Sequence, residues 1–88
     1  MKLVNVTVPL NDEDIQNINR TLELRYLLAD TIEIRGFGKI VNEGVGIDYI
    51  EISFLTQQTQ LLKSNLEGLL LSLGFTGNNK INIEDYSE

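Results

Sequence analysis

Three carboxylates, Glu43, Asp48 and Glu51, lie close enough in the sequence to gather near one strand. Paired carboxylates can transfer protons in acid–base catalysis, or they can hold a hard cation. In a regular strand, however, Asp48 and Glu51 would point to opposite faces, because successive side chains alternate. We therefore interpret Asp48 as the end of a hairpin and Glu51 as a solvated side chain. We predict neither a metal site nor a catalytic pair here.

Two residue types that enzymes commonly use for chemistry are missing from the 88 residues, which contain no His and no Cys. Imidazole acid–base groups and thiolate nucleophiles are thereby excluded, as are the usual ligands of zinc, haem and iron–sulfur clusters. An enzyme built from this chain would need a cavity lined by Tyr26, Tyr49 or Glu51. We predict a protein that is not an enzyme and has no cofactor.

The charge of the chain restricts its partners. Seven Lys and Arg residues stand against thirteen Asp and Glu, a net charge of −6, which disfavours binding to phosphate backbones and anionic lipid. No apolar run approaches the roughly 18 residues that cross a membrane, and residues 1–5 lack the apolar region of a signal peptide. We predict a cytoplasmic location, with neither nucleic acid nor membrane as a partner.

The first half of the chain predicts a strand followed by a helix, within one small domain of residues 1–88. Residues 3–8 alternate as in a strand, which Pro9 ends because it has no N–H to donate. Asn11 is a typical N-cap, and the acidic residues 12–14 suit the first turn of a helix. Residues 31–35 fit either a β-branched strand or the end of this helix, with Gly36 as its C′ residue. We favour the longer helix.

The second half predicts two strands, a helix and a final strand. A short strand at residues 39–41 and a turn near residues 42–44 precede a clear strand at residues 47–54. Thr56 is expected to cap the second helix, which Gly74 and Phe75 end. Residues 80–84 alternate again. The apolar stripe of the second helix comprises Leu62, Leu66, Leu69, Leu70 and Leu73.

Leu61 and Leu71 widen that apolar stripe, and Gly68 lies within the same helix. A wider stripe indicates either association with a partner or a helix pressed deeply onto a small sheet. In the second case, which we favour, Gly68 would allow close approach to the first helix.

The order of elements resembles the ferredoxin-like plait, an α+β fold with the order βαββαβ. The resemblance implies two layers, with two helices on one face of a four-stranded antiparallel sheet in the order 4-1-3-2. The other sheet face would then be open. Because this fold serves many unrelated functions, function must be argued from a site.

Two glycine-containing segments resemble known binding motifs in part. Residues 35–40 resemble the opening of the RNP1 motif of RNA-recognition domains, but Lys39 and Asn42 stand where that motif has further aromatic residues. Residues 44–46 resemble the anion-binding loop of acylphosphatases, but no Arg follows them. We therefore interpret the first segment as a helix-to-strand junction and the second as a hairpin turn.

The function that we predict is a non-catalytic protein-interaction module, working as a homodimer and using either the open sheet face or an exposed edge strand. The side chains predicted for this surface are Tyr49, Glu51, Ser53, Asn82 and Glu84. One alternative is a small-ligand sensor similar to ACT-like regulatory domains, with ligand turns at Gly36, Gly38, Gly44 and Gly46. The other is a small acidic immunity protein or inhibitor that binds a basic partner.

Overall fold

The computed structural model describes residues 1–75 and 77–86. Seven elements follow one another: β1 (Lys2–Pro9), α1 (Asp12–Gln16), α2 (Ile18–Ile34), β2 (Lys39–Val45), β3 (Tyr49–Thr56), α3 (Thr59–Ser72) and β4 (Lys80–Asp85). The strands form one antiparallel sheet in the order β2-β3-β1-β4, which reads 4-1-3-2 from the β4 side. The fold is therefore α+β, as predicted. The element order βαββαβ is not matched, because three helices are present where two were predicted.

The additional helix arises from a break at Asn17. Asn11 caps α1 as predicted, since its side chain accepts from the N–H of Asp14, whose carboxylate in turn accepts from the N–H of Asn11. Asn17 then departs from helical geometry, with φ −108° and ψ 43°. Its side chain donates to the carbonyl of Glu13 at 3.0 Å, and Thr21 Oγ1 donates to the carbonyl of Asp14 at 3.0 Å. The carbonyl of Glu13 also keeps its bond from the backbone N–H of Asn17, whereas the hydroxyl of Thr21 serves as donor to the carbonyl of Asp14. Helix α1 therefore ends at this point and α2 begins.

Residues 31–34 belong to helix α2, which resolves the open alternative in favour of the longer helix. Gly36 adopts a positive φ of 73°, and its N–H donates to the carbonyl of Glu33. The N–H of Phe37 donates to the carbonyl of Ile32 at 3.2 Å. This pair of bonds is a Schellman-type helix end, for which glycine is suited because it has no Cβ.

The β2–β3 hairpin differs from the prediction. β2 extends to Val45, and the turn lies at Ile47 and Asp48, where the N–H of Gly46 donates to the carbonyl of Tyr49 at 2.8 Å. The turn predicted near residues 42–44 is therefore wrong. A β-bulge between Ile40 and Asn42 lets the strand continue past those residues.

Helix α3 begins later than predicted. Thr56 ends β3 and does not cap α3, since Thr56 Oγ1 accepts from the N–H of Gln58 and donates to the carbonyl of Phe37. The predicted end is confirmed: Gly74 has φ 91°, and the N–H of buried Phe75 donates to the carbonyl of Leu70. Gly68 is exposed, and a Cβ added there would meet nothing within 4 Å. The predicted close approach of the helices at Gly68 is therefore wrong.

The hydrophobic core lies between the two long helices and one face of the sheet. The strand residues predicted to share a face, Ile50, Ile52 and Phe54, are all buried. The opposite face of the sheet carries no helix among the described elements, and this open face presents the alternate residues of each strand. The core cluster comprises Val4, Val6, Val8, Leu10, Leu28, Ala29, Ile32, Ile50, Ile52, Phe54, Leu62, Leu66, Leu70 and Phe75.

Candidate functional site

The open face has a row of short polar side chains across its middle. By strand register, Asn42, Ser53, Asn5 and Asn82 lie side by side across the four strands. Ser53 Oγ donates to Asn5 Oδ1 at 2.5 Å, and Ser53 is only 6% exposed although no helix covers it. Neighbouring side chains therefore already shield the centre of this face.

The predicted surface residues are distributed over the open face and do not form one cluster. Glu51 lies opposite Thr7, while Asn82 lies in the polar row on edge strand β4. Glu84 lies further along β4, opposite Leu3. The five residues thus share a face, but they span strands β3 and β4 with β1 between them.

The four glycines predicted as ligand turns fall into two pairs. Gly36 and Gly38 line a shallow depression of about 410 Å³, together with Phe37, Thr56 and Gln58. At Gly44 an added Cβ would lie 2.7 Å from Glu51 Oε1, and at Gly46 it would collide with the ring of Tyr49. The space beside the second pair is therefore occupied by side chains of β3, and only Gly36 and Gly38 border a concave surface.

The three carboxylates of the sequence do not come together. Glu43 lies opposite Ile52 on the helix side, whereas Glu51 is on the open face and Asp48 is in the hairpin turn. The bulge changes the alternation of β2, and this places Glu43 beneath the sheet. Among residues 1–75 and 77–86, no group of three or more Asp or Glu could hold a metal ion.

Arg25 binds the β2 edge from below. This residue of α2 is 6% exposed, and its Nη1 donates to the carbonyl of Gly44 at 2.8 Å. Its Nη2 lies 3.9 Å from Glu43 Oε2. Sequence reasoning missed Arg25, because a single Arg in an amphipathic helix is commonly solvent-exposed.

Glu33, also in α2, binds the same edge strand. Its Oε2 accepts from the N–H of Ile40 at 3.1 Å. By the alternation of an antiparallel ladder, Ile40 lies opposite Phe54 at a position where its N–H points away from β3. The carboxylate therefore occupies a backbone donor that a further strand would need.

Strand β4, in contrast, has an uncovered edge. The N–H of Tyr86 donates to the carbonyl of Met1, so the even-numbered residues of β4 bond to β1. The backbone groups of Ile81 and Ile83 consequently face away from the sheet, and residues 82–85 are exposed. Lys2 binds Asp85 through a hydrogen-bonded ion pair, and that bond together with the Lys2 charge lowers the pKa of Asp85.

A groove of about 550 Å³ runs beside the β4 edge, between β4 and α3. Its apolar lining includes Leu70, Leu71 and Ile81, and Leu71 is 67% exposed. Ile83 points to the same side as Ile81 and is 41% exposed. Lys63 and Glu67 form an i,i+4 pair on the helix wall. We name this surface the α3–β4 groove. The available sequence signal was Leu71, which widens the apolar stripe of α3, together with the alternating final strand.

The comparisons with known proteins add no family or fold relative, since no family model, curated protein or solved structure matches the chain. In the described part of the chain, none of the helices has the length and apolar character needed to cross a membrane. The cytoplasmic location and the absence of nucleic acid as a partner stay predictions from the sequence.

Proposed function

We propose that the chain is a non-catalytic protein-interaction module of ferredoxin-like plait type, with the first helix split in two, and that it binds extended polypeptide at the β4 edge. The observation that carries the proposal is the uncovered β4 edge beside the α3–β4 groove, whose lining includes the apolar side chains of Leu70, Leu71 and Ile81. An exposed edge can accept another strand, whose main chain bonds to it while alternate side chains enter the groove.

The geometry of the edge suits this mode of binding. The outward backbone groups belong to Ile81 and Ile83, and the side chains of the same two residues point to the groove side. A strand added here would bury the exposed part of Ile83 and contact Leu71 across the groove. Both the hydrogen bonds and the apolar burial would then favour binding.

The open sheet face supports the proposal less well than the edge. Its central Ser53 is already hydrogen-bonded to Asn5, and its outer glycine positions are covered by Tyr49 and Glu51. A partner there would have to displace water from many polar side chains with little apolar burial in return. Of the two surfaces predicted from the sequence, we therefore favour the edge strand.

A peptide library tests the proposal. Phage displaying random ten-residue peptides are selected on the purified chain, at a protein concentration where it is monomeric by light scattering. We expect enriched peptides to alternate apolar and polar residues. Ile83→Pro should abolish their binding, because proline has no N–H to donate outward. Ile83→Val, which keeps both the N–H and the branched side chain, is the matched control. Peptides that bind Ile83→Pro as well as the parent chain, or no enrichment at all, would contradict the proposal.

A small-ligand sensor is the second candidate, and the depression beside Gly36 and Gly38 is the observation that favours it. Gln58 Nε2 donates to the carbonyl of Gly36 at its wall, and Lys39 supplies a positive charge. Thermal denaturation with amino acids and nucleotides tests this candidate, since a ligand that binds only the folded state raises Tm. A shift that is lost in Lys39→Ala would favour the sensor over the module. Unchanged Tm values across the panel would argue against it.

The acidic-inhibitor alternative is less favoured. The run Asp12, Glu13 and Asp14 lies in the first turn of α1, and Asp14 completes a capping box there. Negative charge at a helix N-terminus is stabilised by the helix dipole. This cluster therefore has a role within the fold, which weakens the case for a surface shaped by a basic partner.

A further inference from the structure

We infer that the polypeptide bound at the β4 edge is β4 of a second copy of this chain, in antiparallel register centred on Asn82. This inference rests on the proposed function, because it names the partner of the same edge. Its basis is the sequence of β4: Lys80, Ile81, Asn82, Ile83, Glu84. When two copies of this strand run antiparallel about Asn82, each isoleucine lies opposite an isoleucine, and each Lys80 lies opposite a Glu84 of opposite charge.

The backbone permits this register. In a two-fold pairing centred on Asn82, Ile81 of each protomer lies opposite Ile83 of the other protomer. Both residues have outward-facing N–H and C=O groups, so each opposed pair can exchange two hydrogen bonds. Asn82 then lies opposite its own copy at a position without main-chain bonds between the two strands.

Charge complementarity selects this register among those that the backbone permits. Centred on Asn82, the pairing places Lys80 opposite Glu84 of the partner on the open face, and this occurs twice. Both side chains are exposed, and neither forms an ion pair within residues 1–75 and 77–86. Centring on Ile81 or Ile83 would oppose Asn82 to one of the charged residues instead. Opposite charges directly across a strand pair favour pairing.

The other side of the strand adds apolar burial. Ile81 and Ile83 point to the helix side, where they would form two cross-strand pairs with the partner's residues. Ile83 is 41% exposed in the single chain, and this area is what the partner would cover. The ion pairs on one face and the isoleucines on the other therefore specify both register and orientation.

The β2 edge explains why association would stop at two copies. A dimer through β4 leaves two β2 strands as the edges of an eight-stranded sheet. At that edge Glu33 occupies the N–H of Ile40, and the bulge at Val41 distorts the strand. Bulges and charged side chains at an edge hinder further pairing. The geometry points to a closed dimer and not to an open fibre.

Sedimentation equilibrium of the full chain, over a wide range of concentrations, is the first test. We expect a monomer–dimer equilibrium with no larger species. Ile83→Pro should abolish the dimer, whereas Ile83→Val should leave dimerisation within about threefold of the parent chain. Far-UV circular dichroism establishes that each variant is folded. A parent chain that stays monomeric at all concentrations would overturn the inference.

Charge exchange tests the register without disturbing the backbone. Lys80→Glu and Glu84→Lys should each weaken the homodimer about tenfold, because each replaces both attractive pairs by repulsive ones. An equimolar mixture of the two variants should form heterodimers of about the parent affinity, since every pair is again attractive. The double variant Lys80→Glu/Glu84→Lys should likewise recover its homodimer. Weakening without rescue in the mixture would overturn the register.

The outcomes separate this inference from the proposed function. A monomeric chain that still binds library peptides, with loss in Ile83→Pro, overturns the second copy as partner and leaves the interaction module intact. A dimer unaffected by Ile83→Pro and by both charge variants overturns the β4 pairing, and a failed peptide selection then contradicts the proposed function independently. If Ile83→Pro does not fold, the charge-exchange mixture decides.

Discussion

The two edges of the sheet differ in what surrounds their backbone. At the β2 edge, Glu33 accepts from the outward N–H of Ile40, and a bulge interrupts the strand. At the β4 edge, the backbone of Ile81 and Ile83 has no such partner among the described residues, and a groove lies beside it. Helix α2 thus places a side chain on the β2 edge, whereas α3 leaves the β4 edge accessible.

This difference teaches that an edge strand is protected by residues distant from it in sequence. Glu33 lies 7 residues from Ile40, whose outward N–H it occupies. Arg25 lies 19 residues from Gly44, whose carbonyl faces β3, so Arg25 holds β2 from below without covering its outer edge. Both come from one helix, which the chain places over β2. An edge without such side chains is available for pairing, and that availability is the physical basis of the proposed interaction.

Removing Arg25 should have the largest effect. Arg25→Ala would leave Glu43 without its cation in a partly buried position and would create a cavity beneath β2. We expect the free energy of unfolding to fall by about 3 kcal/mol, measured by urea denaturation. The exposed Arg20→Ala in the same helix should change it by less than about 0.5 kcal/mol. Equal losses in the two variants would show that Arg25 does not stabilise the β2 edge.

A double substitution separates the effect of losing the ion pair from the effect of losing side-chain volume beneath β2. Arg25→Met/Glu43→Met replaces both charges by apolar side chains, so no charge remains unpaired beneath the sheet. We expect this variant to be more stable than Arg25→Ala by about 1–3 kcal/mol. A double variant as unstable as Arg25→Ala would indicate that the hydrogen bond to Gly44 dominates instead.

Glu33→Ala should have the next largest effect. It removes the acceptor of the Ile40 N–H, and we expect a loss of about 1 kcal/mol. Amide hydrogen exchange provides the specific measurement. The Ile40 amide should lose more protection than the global loss of stability explains, whereas the amides of β1 should lose no more than that global loss. Glu23→Ala, an exposed carboxylate of the same helix, is the control. Unchanged exchange at Ile40 would remove Glu33 from the set of residues that protect this edge.

Gly68→Ala addresses the other side of the comparison, because it alters α3 without touching β4. A Cβ at this exposed helical position meets open space, so alanine should stabilise the fold by about 0.5–1 kcal/mol. Gly74→Ala should act in the opposite direction, because its φ of 91° strains any residue with a Cβ. Thermal denaturation measures both. The dissociation constant of the dimer should be unchanged in Gly68→Ala. A weaker dimer would mean that the β4 edge is accessible only because Gly68 lowers the stability of α3.

The smallest effect is expected at the ion pair that ends β4. The Lys2 ammonium lowers the pKa of Asp85 in the folded chain. The pair therefore stabilises the fold fully above the unfolded pKa of Asp85, and this contribution is lost as pH falls through the lower, folded value. In Lys2→Gln, the pKa of the Asp85 carboxyl, followed by NMR titration, should rise back toward the ordinary aspartate value. Lys39→Gln should leave it unchanged; an equal shift there would exclude Lys2 as the cause.

Local pattern was sufficient for most of the secondary structure. The alternation at residues 3–8 and 80–84, the Asn11 cap and the Gly74 stop all correspond to observed elements, because each depends on residues a few positions apart. The helix break at Asn17 was not predicted, since Asn also occurs within helices. The hairpin turn was predicted too early because Gly44 and Gly46 suggested it there, although Asp48 was interpreted as the end of a hairpin.

The candidate site was only partly predictable. Alternation placed Tyr49, Glu51 and Ser53 on the open face, where register now puts them. It could not show that Gly44 and Gly46 are covered by side chains of β3, because this depends on the pairing of two strands. Nor could it show which edge strand is free, although both edges belonged to the predicted fold.

Residue spacing alone was enough to establish which side of each strand and helix is apolar, because those periods are local properties of the chain. The identity of the exposed edge arose from the tertiary arrangement. It required β1 to lie between β3 and β4, and it required α2 to bring Glu33 to the outward N–H of Ile40. These contacts join residues that no local period relates, so their effect on the edges appears only once the layers are packed.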